Sequence, residues 1–184
     1  MAKKQAAPPK KMSLNGSNLT FRPMDASDRN TILSMAQHMT ETDLAFMRRD
    51  ITQPDVIDAW VQEIQNHRAY TLLVEDDDQV VAYGTLYFSQ FYWNRHIAEV
   101  RVLVTSPYRN RGIGAKLVRE LMQKAHDFKL DKLICYLSAD DKSARKMVES
   151  LGFRPEAVLA DWVKMRDERT KDLLIMATAL GELH

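Results

Sequence analysis

The stretch from Val100 to Ala125 constrains this chain most, because its periodicity changes at a glycine-bearing turn. Val100 to Val104 is rich in β-branched residues and reads as a strand. Ser106-Pro107 ends it, since proline has no N–H for a ladder. Arg109, Asn110, Arg111, Gly112, Ile113 and Gly114 then form a basic turn. Beyond it, Ile113, Leu117, Val118, Leu121, Met122 and Ala125 recur at helical spacing. A strand therefore feeds a Gly-rich turn that opens a helix.

Such a turn favours anions. The first amides of a helix lack intrahelical acceptors, and the helix dipole attracts negative charge there. Glycine lets backbone approach a ligand closely. Arg109, Arg111 and Lys116 add positive charge. On these residues alone, the turn reads either as a phosphate cradle or as an ordinary strand-to-helix turn with solvated arginines. Two phosphate motifs are excluded. A P-loop needs Gly-Lys-Ser/Thr, whereas Ala115, Lys116 and Leu117 follow Gly114. A dinucleotide fingerprint needs a third Gly or Ala where Leu117 stands.

With 184 residues, the chain suits one domain with a sizeable core. Hydrophobic residues at 45% and charged residues at 28% are an ordinary soluble balance, and the net charge of +1 argues for neither nucleic acid nor an anionic membrane. No apolar run is long enough to span a bilayer. Cys135 is the single cysteine, so no intrachain disulfide forms, and a cytoplasmic location is expected. The lysine-bearing segment 1–18, with Pro8-Pro9, reads as a flexible basic tail ahead of one domain over 19–184.

Leu19 to Arg22 is a short strand candidate. Ser27 or Asp28 can cap a helix carrying Ile32, Leu33, Met35, Ala36 and Met39. A second helix starts at Thr52-Gln53-Pro54-Asp55, with the Thr52 hydroxyl as cap, and repeats Val56, Ile57, Trp60, Val61 and Ile64. The segment between them holds Phe46, Met47 and the acids Glu41, Asp43 and Asp50, which suit a cationic ligand or a solvated connector. Tyr70 to Val74 and Val80 to Phe88 form a hairpin, and its acidic turn lacks metal-ligand spacing. After the central helix, Leu133 to Leu137 is a strand joined in parallel by a right-handed crossover. Asp141 to Leu151 is a helix stopped by Gly152, and strands Val158 to Lys164 and Leu173 to Ala179 follow, joined by the charged turn Arg166 to Lys171.

Three motifs in this order resemble the GCN5-related N-acetyltransferase (GNAT) family over about Leu19 to Leu180. Arg109-Asn110-Arg111-Gly112-Ile113-Gly114 looks like the family's [Q/R]-x-x-G-x-[G/A] loop. Asp141-Lys142-Ser143-Ala144 through Gly152-Phe153 is similar to its N-x-x-A…G-F helix, and Asp172-Leu173-Leu174-Ile175-Met176 to its last strand. The resemblance implies an α/β (α+β) fold: a mixed, mostly antiparallel sheet of about six to seven strands, splayed at a bulge on the cofactor-binding strand and flanked by about four helices. It implies acetyl-CoA as donor, a primary amine as acceptor, direct transfer, no metal, and often a homodimer. The loop residues Arg109 to Ala115 would hold the pyrophosphate, Val102, Leu103 and Val104 the pantetheine arm, and Asp141 and Ser143 belong to the helix beside it. The rival class is a CoA-binding module that does not turn over.

Acyl transfer needs a neutral amine. Deprotonating a lysine at pH 7 costs about 4.6 kcal/mol, an α-amine only about 1 kcal/mol. Glu99 is the candidate base, yet it stands an odd number of residues before Val104, whereas the family often uses an even offset. Strand alternation turns it to the other face unless a bulge intervenes. The oxyanion would meet the Val104 N–H. Four residues before Gly152, where much of the family has a tyrosine acid, stands Val148. Tyr136, Tyr92 and His96 are substitutes in principle, His126 reads as solvated, and Cys135 reads as core.

Overall fold

The computed structural model describes residues 9–14, 17–40, 44, 47, 49–165 and 167–181. The elements run β1 (Lys10–Leu14), β2 (Ser17–Pro23), α1 (Arg29–Gln37), α2 (Pro54–Gln65), β3 (Ala69–Asp76), β4 (Gln79–Phe88) and β5 (Ile97–Val104). They continue α3 (Ile113–Asp127), β6 (Lys132–Ser138), α4 (Lys142–Glu149), β7 (Arg154–Lys164) and β8 (Thr170–Ala179). One sheet of eight strands takes the order β1-β2-β3-β4-β5-β6-β8-β7. Among the described residues, only β5 and β6 pair in parallel.

The eighth strand corrects the expected count of six to seven. It is β1, which lies inside the segment read as a tail. Its register runs from Lys10 opposite Phe21 to Leu14 opposite Ser17. Met12 and Leu14 alternate onto the core, and Lys10 Nζ reaches Glu120 of α3 at 2.9 Å. That apolar edge is enough to dock five residues, whatever their basic neighbours.

Alternation sorts the sheet into two faces. Ala98, Val100 and Val102 of β5, with Ala82 and Leu86 of β4, pack on Leu117, Val118 and Leu121 of α3. Leu103 and Tyr83 point the other way, to Ile32 and Met35 of α1 and Ile57, Trp60 and Val61 of α2. Gly84 lets α3 sit close, because a β-carbon there would meet Leu121 Cδ1 at 2.8 Å. On the α2 face, Trp60 Nε1 donates to Thr71 Oγ1 at 3.2 Å, and Thr71 and Thr85 hydroxyls share a 2.9 Å bond. This chain satisfies polar atoms that burial would otherwise penalise.

Caps differ in detail from the sequence reading. The Thr52 hydroxyl caps nothing; it donates to Asp50 Oδ1, and Gln53 is the N-cap of α2. Asp28 precedes α1 without a side-chain cap bond there. Its carboxylate instead receives the Asp25 amide at 2.9 Å and Arg22 at 2.7 and 2.9 Å, with Glu75 also on Arg22. Those two carboxylates hold the Arg22 guanidinium ionised and raise its pKa, outweighing burial. Gly152 takes φ +94°, the left-handed stop expected after α4. Glu41, Asp43, Phe46 and Arg166 lie outside the described residues.

Replacing Gly84 with valine overpacks the α3 contact and lowers stability by about 1–3 kcal/mol. Urea denaturation checks this through the shift in midpoint at unchanged slope.

Candidate active site

The β4–β5 ladder is continuous, from Ala82 opposite Val104 to Phe88 opposite Ala98, with no register shift. The parallel β5–β6 pairing covers only Ile97, Ala98 and Glu99, opposite Lys132, Leu133 and Ile134. Beyond Glu99 the two strands part. The sheet therefore splays as expected, but among the described residues no bulge appears in the β4–β5 ladder. The bulge that would have rotated Glu99 to the other face is absent there, and Glu99 keeps its odd phase.

The ladder also fixes where the backbone of β5 points. The Thr105 amide donates to the Val81 carbonyl at 3.0 Å, and the Ser89 amide to the Ile97 carbonyl. In an antiparallel pair, hydrogen-bonded and non-bonded residues alternate. The odd positions of β5 thus bond to β4, and the even ones face β6. At Val102 and Val104, past the last parallel rung, the N–H and C=O groups face the gap. Arg109 Nε donates to the Val104 carbonyl there at 3.2 Å.

The loop after β5 is fastened at several points. Thr105 Oγ1 donates to the Val81 carbonyl at 2.9 Å, and Tyr108 Oη to Asp76 at 3.0 Å. Arg111 lies over the Tyr108 ring, 4.9 Å from its centre. Asn110 and Gly112 take φ +60° and +82°, and Gly112 is the N-cap of α3. The first four amides of α3 therefore face away from the helix with no intrahelical acceptor. Arg109, Asn110, Arg111 and Gly112 are exposed.

A cleft of about 750 Å³ occupies the gap. Among the sequence-predicted residues, its wall holds Glu99, Val102, Leu103, Val104, Gly114 and Asp141. Arg109, Asn110, Arg111, Ile113, Ala115 and Ser143 lie outside that wall, in the loop and first turns flanking it. A β-carbon on Gly114 would stand 3.7 to 3.9 Å from Val104, Met147 and Val102, so α3, α4 and β5 converge there. Asp141 accepts the Ala144 amide at 2.9 Å and so caps α4. Tyr136 lines the cleft, whereas Tyr92, His96 and His126 do not.

The cleft passes through the sheet, because both even and odd residues of β5 line it. On the α2 side stands an ionic group that the sequence reading missed in part. Glu99 accepts Arg101 Nε at 2.5 Å and Nη2 at 3.0 Å. Arg101 lies over the Tyr87 ring at 4.3 Å, and Arg49 over the same ring at 5.3 Å. Arg49 in turn forks onto Glu63, with both contacts at 2.7 Å. Burial pushes the Tyr87 phenol above its ordinary value, against the pull of Arg101 and Arg49, so it stays protonated at neutral pH. The Glu99–Arg101 pair is legible as neighbours of one phase. Tyr87 follows from its place opposite Glu99 in the hairpin, but Arg49 reaches it only through tertiary structure.

Cys135 also lines the cleft but is 4% exposed, and burial first, with the nearby Glu99 charge, pushes its thiol up to about 12. Among the described residues, no cluster of His, Cys, Asp and Glu could hold a metal, and no helix is long and apolar enough to cross a membrane.

The chain is a mixed α/β fold with a splayed sheet and a glycine-bearing helix start beside the splay. The family model described as Acetyltransferase (GNAT) family matches residues 35–153, so the chain belongs to the GNAT acetyltransferase family. A GNAT-family acetyltransferase from Streptococcus pneumoniae superposes with TM-score 0.77 at 16% identity, covering 88% of this chain and 99% of that one. Ribosomal-protein-alanine N-acetyltransferase from Brucella melitensis gives TM-score 0.77 at 26% identity, over 86% of this chain and 98% of that one. A Salmonella typhimurium protein solved with its cofactor acetyl-CoA gives TM-score 0.73 at 21% identity, over 89% and 95%. No curated protein matches the sequence.

The Cys135 thiol is expected to resist a colourless-to-yellow disulfide reagent at pH 8 in the native protein and to react stoichiometrically once denatured. Rapid labelling of the native protein would show that the cleft exposes it.

Proposed function

We propose that the protein transfers an acetyl group from acetyl-CoA to a primary amine by direct attack. The observation that carries this reading is the meeting of two backbone edges at one cleft: the first turn of α3, and the groups of Val102 and Val104 that face the gap past the last β5–β6 rung. An extended amide-bearing arm can pair with the second, and a pyrophosphate with the first. The Arg109 to Ala115 loop supplies the amides, with Arg109 and Arg111 adding charge. Asp141 fixes the start of α4 on the far side of the arm, and Ser143 lies in its first turn.

In this reading the acceptor enters from the α2 face, where Glu99 receives the ammonium proton directly or through water. The amine then attacks the thioester carbonyl. The Val104 N–H steadies the oxyanion, and collapse expels the CoA thiolate, which takes up through solvent the proton that the attacking nitrogen gives off. No enzyme residue is acylated. A second reading, a CoA-binding module without turnover, draws on Val148: it is 3% exposed and brings no hydroxyl to the place of the family's tyrosine.

Two experiments test this. Gly112→Asp places a negative charge at the helix start, while Gly112→Asn keeps the same left-handed backbone without the charge. Calorimetric titration is expected to show acetyl-CoA affinity lost in the first variant and largely kept in the second. Equal affinity in both would misplace the pyrophosphate. Glu99→Gln is expected to lower kcat at neutral pH by about 10²–10⁴-fold. A module without turnover would release no thiol with any amine, even in the unmutated protein.

A further inference from the structure

The acceptor half of the cleft is built around two guanidinium groups rather than free carboxylates. Among the described residues, the charged lining of the cleft as a whole is Arg49, Arg101, Lys164, Glu99 and Asp141, of which Asp141 lies on the donor side at the start of α4. Asp141 already caps α4, and both oxygens of Glu99 lie on Arg101. Lys164 pairs with Glu168 at the rim. A polycationic acceptor would therefore meet two guanidinium groups and, on that face, a single lining carboxylate among the described residues, Glu99, which it would share with Arg101. Asp50, one of the acids expected to attract a cation, instead receives the Thr52 amide and hydroxyl.

From this arrangement we infer that the acceptor is an amine carrying a carboxylate beside it, of the α-amino acid type, with Arg101 and Arg49 as its carboxylate-binding residues. The inference rests on the acetyltransferase reading above. Three features of the site support it. The Tyr87 ring lies under both guanidinium groups and holds them on one side of the cleft, at 4.3 and 5.3 Å. Each ion pair engages only two of a guanidinium's five N–H groups, so neither Glu63 nor Glu99 exhausts its arginine. A guanidinium favours planar, two-pronged recognition of a carboxylate.

Charge order along the wall completes the fit. Glu99 and Arg101 form a dipole on one face of β5, with the carboxylate nearer the point where β5 and β6 part. A zwitterion laid antiparallel on that dipole puts its ammonium at Glu99 and its carboxylate at Arg101. The same contact that binds the acceptor thus brings its amine to the proposed base. An amine without the carboxylate loses that orientation, and an extra ammonium in its place faces two cations.

The test is acetyl-CoA-dependent thiol release over four acceptor sets: α-amino acids, the matching α-amino acid amides, spermidine, and a lysine peptide with a blocked N-terminus. Rates are compared at one pH near neutrality and expressed per concentration of neutral amine, so basicity does not decide the ranking. At least one amino acid is expected to exceed its own amide at least tenfold in kcat/KM. Arg101→Gln and Arg49→Gln should each narrow that ratio by raising KM for the amino acid, with KM for the amide little changed. Titration with acetyl-CoA checks that both variants remain folded and retain donor affinity. Preference for the amide, spermidine or the peptide would overturn the inference while leaving acetyl transfer intact. An unchanged acid-to-amide ratio in both variants would overturn the assignment of the arginines. No thiol release from any amine would overturn the acetyltransferase reading itself, and the acceptor class with it.

Discussion

The site depends on a failure of two strands to stay paired. β5 follows β4 for seven residues but follows β6 for only three. Buried backbone groups must find partners, so a gap inside a sheet is tolerated only where something else meets them. Here the loop after β5 meets one: Arg109 takes the Val104 carbonyl. The rest of the gap edge forms the wall of the cleft. The elements around it hold the strands apart. α3 is drawn down on β4 at Gly84, α4 reaches in through Met147, and β8 pairs with the opposite edge of β6 along its full length.

The same geometry explains how one strand serves both sides of the sheet. Even residues of β5 are Ala98 and three valines packed under α3, and odd residues carry Glu99 and Arg101 toward α2. In a closed sheet these two sets would never share a cavity. Because the sheet is open at this point, donor-side backbone and acceptor-side side chains line one continuous space.

Much of this was legible in the sequence. The strand, loop and helix from Val100 to Ala125 announce themselves by a change of period, and the α4 motif by its cap and its glycine stop. The phase of Glu99 was also readable, and the structure keeps it. Three features were harder to read. β1 has only Met12 and Leu14 as its alternating apolar residues, set among lysines, and its best sequence signal is the Asn15-Gly16 dipeptide that commonly joins hairpins. The expected bulge belonged to the resemblance, not to any residue pattern in Val100 to Val104. Arg49 sits in a polar stretch with no periodicity, and its place beside Tyr87 is set by how α2 packs across the sheet, which no local pattern encodes.

The first strand has a consequence for how the molecule behaves in company. Adding β1 moves the rim of the sheet outward and makes Lys10 and Lys11 the residues presented there. Lysines on a rim strand resist edge-to-edge association, because stacking two copies would bring like charges together. The opposite rim uses other means. β7 carries Pro155, which offers no N–H, and two register shifts, with Asp161 at φ +53° between the paired segments. An eight-stranded ribbon with two open rims is a template for endless growth. This one has a charged rim at one end and a kinked rim at the other, which favours discrete particles over fibres.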